Sequence, residues 1–361
     1  MPMNRRTPSY EILREASMGP TQRQALADHP DNDNDARAYE PGSPELRKQA
    51  ASSSEAEHRS LFRLLLLCAA LFAAACVVVV ALTDTTVAQL PQLLRDVASF
   101  RRTPCTAMDN AAAVIAIVMA MPPLVLIDYT VCAACCPNPG ARWFLLHALG
   151  NFVVAVLCVP DFVHTARNPP AAMSVSYCAS LPSYGQGLLA PCSDWPTCMI
   201  IAMHLYHMLS FQLDANDMFH HLLFVPIIGG MNFVYPNGAV ANILSFFISG
   251  LPGGLSYLLL AMVKTGHVAA FSEKRISCSI NTWIRGPGIC AFCTICTLGW
   301  SRPYPGTPPT HVMPWFIFWP SMAVVFFNGQ YYAQRVIGNY YIRKAQDHAK
   351  RGIKKVDLHT S

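Results

Sequence analysis

LFRLLLLCAALFAAACVVVVALT, residues 61–83, is the first of several apolar runs that together decide the fold. A helix needs about 20 largely apolar residues to cross the hydrocarbon core of a bilayer, and this run has that length with one charge, Arg63. It begins about sixty residues into the chain, too late for a cleaved secretory signal. We therefore interpret it as a retained signal-anchor helix.

The distribution of charge supports a membrane protein. Charged residues make up 13% of the chain and hydrophobic residues 53%. Of the 47 charged residues, 27 lie before residue 61 or after residue 334, which leaves 20 for the 274 residues between. That interior has too few charges for the surface of an ordinary soluble domain.

Seven further apolar runs extend the pattern. They cover residues 111–134, 143–163, 198–213, 218–235, 239–263, 287–300 and 312–337. The sequence thus predicts an all-α, polytopic transmembrane helical bundle of about eight spans, or six to seven if the short runs at 198 and 287 do not cross. We divide the chain into a disordered cytoplasmic tail (1–60), a transmembrane domain (61–338) and a basic cytoplasmic tail (339–361).

Orientation follows from Lys and Arg, which concentrate on the cytoplasmic side of membranes. The C-terminal tail and the loop after residue 263, to which we assign Arg285, are basic, so both termini are expected in the cytosol and segment 164–196 on the far side. Arg95, Arg101 and Arg102 fall on the far side and do not follow the positive-inside rule.

Three cysteines fall on the same far side. In an oxidising compartment Cys105, Cys178 and Cys192 allow a disulfide; free thiols are the alternative.

A cluster of His and Asp residues is the main candidate site. His204 and His207 share one helical face, Asp214 and Asp217 favour a cap or turn, and the pair His220-His221 would open the next helix. A turn would bring His207 close to that pair. The alternative is one continuous helix, in which His207, Asp214 and His221 share a face at a spacing of seven.

Three functions of the cluster compete. The histidines could hydrogen-bond within the bundle, as buried polar groups must. They could form an acid–base or lipid-headgroup site, with His207, His220 and His221 catalytic and His204, Asp214 and Asp217 binding the ligand. A di-metal site lacks enough histidines at the required spacing, so we predict no metal and no cofactor.

The segment Gly250-Leu251-Pro252-Gly253-Gly254 must kink or unwind its helix. Close helix packing through small residues is the favoured explanation, with Gly229-Gly230 as the partner surface. The alternative is a broken helix that lines a substrate pathway, with Gly250, Pro252 and Gly253 binding the ligand.

The segment from Met199 to Gly266, which begins MIIAMHLYHMLSFQLDANDMFHHLLFVPIIGG, resembles the central part of the TLC domain, the membrane domain of ceramide synthases and translocation-associated membrane proteins. Members carry an aromatic-Asp pair followed about thirteen residues later by a His-His pair. Tyr206-His207 and His220-His221 occupy these positions, with His207 in place of the family's Asp, and the extended ceramide synthase signature is absent.

The resemblance implies a helical bundle of the endoplasmic reticulum or Golgi, with the plasma membrane as the alternative, and a link to membrane lipid rather than acyl-CoA-dependent ceramide synthesis. We therefore expect a role in lipid metabolism, lipid sensing or lipid homeostasis, and leave enzymatic activity open. The alternatives are a small-solute or lipid transporter and a non-catalytic scaffold. Nucleic acid is not an expected partner, since the basic residues flank membrane spans, and the sequence does not identify protein partners.

Overall fold

The computed structural model describes residues 44–101, 110–136, 139–182, 184–211, 218, 221, 225–235, 237–303, 305 and 312–350, with the backbone alone at 44–60, 139–140, 228, 231 and 349–350. Within these residues the protein is all-helical and has no strand. The helices are α1 (Pro44–Leu82), α2 (Leu90–Ala98), α3 (Asn110–Cys135), α4 (Pro139–Leu157), α5 (Val159–Arg167), α6 (Val175–Ala179), α7 (Trp195–Ser210), α8 (Met231–Val234), α9 (Val240–Lys264), α10 (Ala270–Ile280), α11 (Gly286–Ser301) and α12 (Trp315–Lys350).

Four helical segments among the described residues are long and apolar enough to cross a membrane. They are Leu61–Leu82, Asn110–Cys135, Ala141–Arg167 and Val240–Lys264. Each contains or closely matches a run predicted from the sequence, so the all-helical class and these four membrane-length helices are confirmed. Of the predicted runs 198–213, 287–300 and 312–337, the parts 198–210, 287–300 and 315–337 are helical.

The chain divides into two units, Met1–Glu57 and His58–Ser361. Helix α1 begins at Pro44 and so includes part of the segment predicted to be disordered. Residues 1–43 and 351–361 lie outside the described part of the chain. The predicted boundaries after residues 60 and 338 stay predictions.

Helix α9 carries the predicted break. A π-helical turn occupies Phe246–Gly250, and Pro252 stands in the first turn of the α-helical part that follows. Proline has no amide hydrogen, and its ring clashes with the carbonyl of the preceding turn, which the wider π turn relieves. Local unwinding of this helix was therefore predicted correctly from Gly-Leu-Pro-Gly-Gly, although the helix continues through it from Val240 to Lys264.

The same segment packs against α4. A Cβ added at Gly254 would lie 2.8 Å from the Phe152 ring, and one at Gly250 would lie 3.3 Å from Cα of Ala155. Small residues therefore allow close approach of the two helices, as predicted. The prediction that Gly229-Gly230 forms the partner surface was wrong, because Gly229 faces Ile201 of α7.

A disulfide between Cys178 and Cys192 closes the segment that connects α5 to α7. The amide of Cys192 donates to Asp161 Oδ1 at 2.7 Å, and Asn242 Nδ2 donates to the other oxygen of Asp161 at 2.6 Å and to the Ser193 carbonyl at 2.7 Å. Asp161 thus joins the disulfide segment to α5 and to the start of α9. Cys105 lies outside the described residues.

Candidate functional site

The structure brings histidines from three segments together. Nδ1 of His207 lies 3.2 Å from Nε2 of His221, and both side chains are buried. Trp143 of α4 stacks on His207 with ring centroids 3.5 Å apart. The ring of His204 lies 4.9 Å from that of His221. The proximity of His207 to the second member of the His-His pair, expected from a turn between two helices, is therefore observed.

The continuous-helix alternative is wrong. Helix α7 ends at Ser210, and Phe211 is extended, with φ −128° and ψ 156°. An extended residue interrupts the helical register, so His207 and His221 do not lie along one face of a continuous helix. Three predicted site residues, Asp214, Asp217 and His220, lie outside the described residues.

A fourth histidine, which the sequence patterns did not single out, joins the cluster. His147 on α4 is 4% exposed, and its ring centroid lies 5.6 Å from that of His207 and 5.0 Å from that of Tyr257. Trp143, His147 and Asn151 recur every four residues and so share one face of α4. That spacing, with two polar residues inside an apolar run, was the available signal.

A cavity of about 240 Å³ lies beside the histidines, between α4, α7, α9, α11, α12 and residues 225–237. His147 and His204 line it, whereas His207 and His221 are not among its lining residues. Nδ1 of His204 also donates to the Ile200 carbonyl, 2.7 Å away. His204, which was predicted to bind the ligand, and His147, which was not predicted, therefore line the cavity. His207 and His221, which were predicted to be catalytic, do not.

The lining is mixed in polarity. Its polar residues include Asn151, Thr197, Asn232, Asn237, Ser245, Ser249, Tyr257, Arg285, Asn328 and Tyr332, and its apolar ones include Ile200, Ile201, Val225, Leu244, Ile248 and Phe292. Of the predicted residues at the helix break, Gly253 lines the cavity and Gly250 and Pro252 do not. The π turn contributes Ile248 and Ser249, so the break shapes the cavity wall.

Arg285 places a charge on this wall. It ends the π-helical turn Asn281–Arg285, which joins α10 to α11 in one continuous helix. Nη1 donates to Asn281 Oδ1 at 2.9 Å, while Nε is inaccessible to solvent and has no hydrogen-bond partner among the described residues. The assignment of Arg285 to a basic loop was therefore wrong, since its side chain lies on the inner face of a helix.

Beside the histidines lies an ion pair that the sequence did not reveal. Arg142 Nε donates to Asp128 Oδ1 at 2.6 Å, and Nη2 donates to Oδ2 at 2.9 Å. The hydroxyl of Tyr206 donates to Oδ2 of the same carboxylate at 2.5 Å. Because Tyr206 precedes His207, this network fixes the rotation of α7 that directs His207 toward Trp143.

The described residues contain no group of three or more His, Cys, Asp or Glu side chains that could hold a metal ion. Comparison with models of known families, with curated proteins and with solved structures found no match to this chain. Functional inference therefore depends on the cavity and the histidines.

Proposed function

We propose that this chain is an eight-span, TLC-like membrane protein that binds a membrane lipid in the interhelical cavity and acts in lipid metabolism, lipid sensing or lipid homeostasis. The observation that supports this proposal best is the cavity itself, which combines amide, hydroxyl and imidazole groups with aliphatic side chains inside an apolar bundle. Polar side chains at membrane depth are costly and usually serve function. A mixed lining suits an amphiphile better than a small polar solute or a hydrocarbon.

The volume of the cavity limits the size of the ligand that it can enclose. Small-molecule pockets enclose roughly 300–1,000 Å³, and this cavity of about 240 Å³ is smaller. It therefore accommodates a headgroup with part of one acyl chain. A whole two-chain phospholipid would leave most of its chains in the surrounding bilayer.

The histidines add an acid–base route to the bound headgroup. His204 lines the cavity, and its ring lies 4.9 Å from that of His221, which in turn lies within hydrogen-bond distance of His207. An imidazole can accept and donate protons near neutral pH. In a catalytic version of the proposal, His204 exchanges a proton with the lipid headgroup, and His221 and His207 position it.

Filling the cavity tests the proposal. Ala241 lines it from α9, so Ala241→Phe is expected to displace lipid that copurifies in neutral detergent. Quantitative mass spectrometry of extracted lipids should show at least a fivefold loss of the bound species. Val156→Phe adds the same ring at a position that is 58% exposed and should keep the wild-type lipid content. Equal lipid content in both variants would contradict the proposal.

Lipid transport is the second candidate, and the broken helix favours it. In transporters, interrupted helices expose backbone groups to substrate at the middle of the membrane, and Ile248 and Ser249 of the π turn line this cavity. Reconstituted protein would then accelerate lipid movement between leaflets, and Ala241→Phe would abolish that movement while His204→Ala would not.

A further inference from the structure

We propose that the cavity binds the anionic headgroup of a single-chain lipid, with Arg285 as its counter-ion. This inference rests on the proposed function and specifies its ligand class. It starts from the guanidinium, which donates one hydrogen bond to the described residues although its N–H groups can donate five. Nε is buried without a partner among those residues.

No described carboxylate neutralises this charge, because the buried acids are engaged elsewhere. Asp128 binds Arg142, and Glu273 binds Lys274 at 3.0 Å. Asp161 accepts from Cys192 and Asn242, and Asp194 accepts from Asn232 at 2.8 Å. An uncompensated charge inside a low-dielectric bundle is strongly unfavourable. A ligand that brings the opposite charge into the cavity would remove that cost.

The chemistry of the lining indicates which anion fits. The planar guanidinium matches the oxygens of a carboxylate or phosphate, to which it can donate two parallel hydrogen bonds. Asn328 also lines the cavity, and its Oδ1 is buried without a donor in the described part of the chain. That oxygen can accept from a headgroup hydroxyl. A fatty acid supplies the carboxylate, and a lysophosphatidic acid supplies both phosphate and hydroxyl.

The apolar residues of the lining favour an anion that carries an acyl chain. Ile200, Ile201, Val225, Leu244 and Phe292 share the cavity with Arg285. Burying apolar area contributes roughly 25 cal/mol per Å², and an inorganic ion offers none. A lipid anion should therefore bind more tightly than free phosphate.

Binding measurements on the full-length protein in neutral detergent test the inference. The probes are oleate, 1-oleoyl lysophosphatidic acid, the uncharged 1-monooleoylglycerol and inorganic phosphate, with affinity followed by intrinsic tryptophan fluorescence. The charged amphiphiles are expected to bind at least tenfold more tightly than monooleoylglycerol. Arg285→Gln should abolish that difference without weakening monooleoylglycerol. Arg275→Gln, an exposed arginine on α10, is the matched control and should preserve the difference.

Each other outcome has a defined meaning. Equal affinity for charged and uncharged amphiphiles, or an unchanged preference in Arg285→Gln, would overturn the anion site but leave the lipid-binding function standing. Absence of binding by all three amphiphiles would overturn both. Phosphate binding as tight as that of lysophosphatidic acid would show that the ion alone is recognised and would overturn the lipid headgroup.

A second variant keeps the test decisive if Arg285→Gln does not fold. Asn328→Asp adds a carboxylate to the wall that Arg285 shares, where it competes with the ligand for the guanidinium. The affinity for oleate and lysophosphatidic acid should fall at least fivefold, and the affinity for monooleoylglycerol should not change. Unchanged binding of the charged probes to this variant would contradict the proposal.

Discussion

Asp128 and Arg142 show how a charge is tolerated inside this bundle. The carboxylate is 1% exposed and receives two hydrogen bonds from the guanidinium and one from Tyr206. Breaking a buried ion pair by removing one partner costs about 3–5 kcal/mol, because the other charge stays buried. We expect Asp128→Asn to destabilise the protein by about 3 kcal/mol, measured as a fall in thermal midpoint in detergent.

A double-mutant cycle separates the ion pair from simple loss of packing. Asp128→Asn combined with Arg142→Gln removes both charges, so the double variant should lose less stability than the two single variants added together. Additive losses would show that the two side chains stabilise the fold independently. Such a result would contradict the role of the ion pair in orienting α7 and His207.

Residue spacing predicted part of the site and missed the rest for physical reasons. The turn signal between His207 and His221 was local in sequence, so their approach could be expected before the structure was known. His147 is distant in sequence and joins the cluster only through packing of α4 on α7. Counting Lys and Arg residues treats every arginine as a loop residue and does not show where its side chain points. The inward-facing side chain of Arg285 was therefore not recognised.

The close packing of α4 against α9 can be tested by a single substitution. Gly254 leaves no room for a side chain, since an added Cβ would lie 2.8 Å from Phe152. Overpacking of this kind typically costs about 1–3 kcal/mol, so Gly254→Ala should lower the thermal midpoint by several degrees.

Gly338 provides the control for that substitution. It lies in α12, and an added Cβ would have no described atom within 4 Å. Alanine stabilises a helix interior by about 1 kcal/mol relative to glycine, so Gly338→Ala should leave the midpoint unchanged or raise it. Destabilisation by both substitutions would point to a general sensitivity of the helices to alanine rather than to the α4–α9 contact.

The helices were predicted better than the contacts between them. Apolar length and the Gly-Leu-Pro-Gly-Gly segment are local properties, which is why the membrane-length helices and the break in α9 followed from the sequence. Small residues reveal that another helix can approach but not which one. The choice of α4 over Gly229-Gly230 depends on the shapes of Phe152, Ala155 and Ile201, which become neighbours only in the folded bundle.

The disulfide segment marks one end of α9. The amide of Val240 donates to the Ala172 carbonyl at 3.2 Å, so this segment lies where α9 begins. A helix of 25 residues is about 37 Å long, which places Lys264 at the opposite end. Gly187 also donates to the Phe100 carbonyl at 2.9 Å, so Phe100 and Arg101 lie near the disulfide segment. If that segment is on the far side, as predicted, Arg101 is there too and departs from the positive-inside rule.

Glycosylation mapping in cells tests the proposed orientation. Gly185 lies in the disulfide segment with φ +73° and open space around it, so an inserted Gly-Asn-Gly-Thr sequence after it should be tolerated. If this segment faces the oxidising lumen that a disulfide requires, the inserted acceptor should be glycosylated and shift the protein on a gel. The same sequence appended after Ser361 should stay unmodified, because the basic residues near Lys350 favour the cytosol. A glycan on the tail together with an unmodified insertion would reverse the orientation. Glycans at both sites would place the two segments on one side of the membrane and contradict the five crossings that the eight-span prediction puts between them.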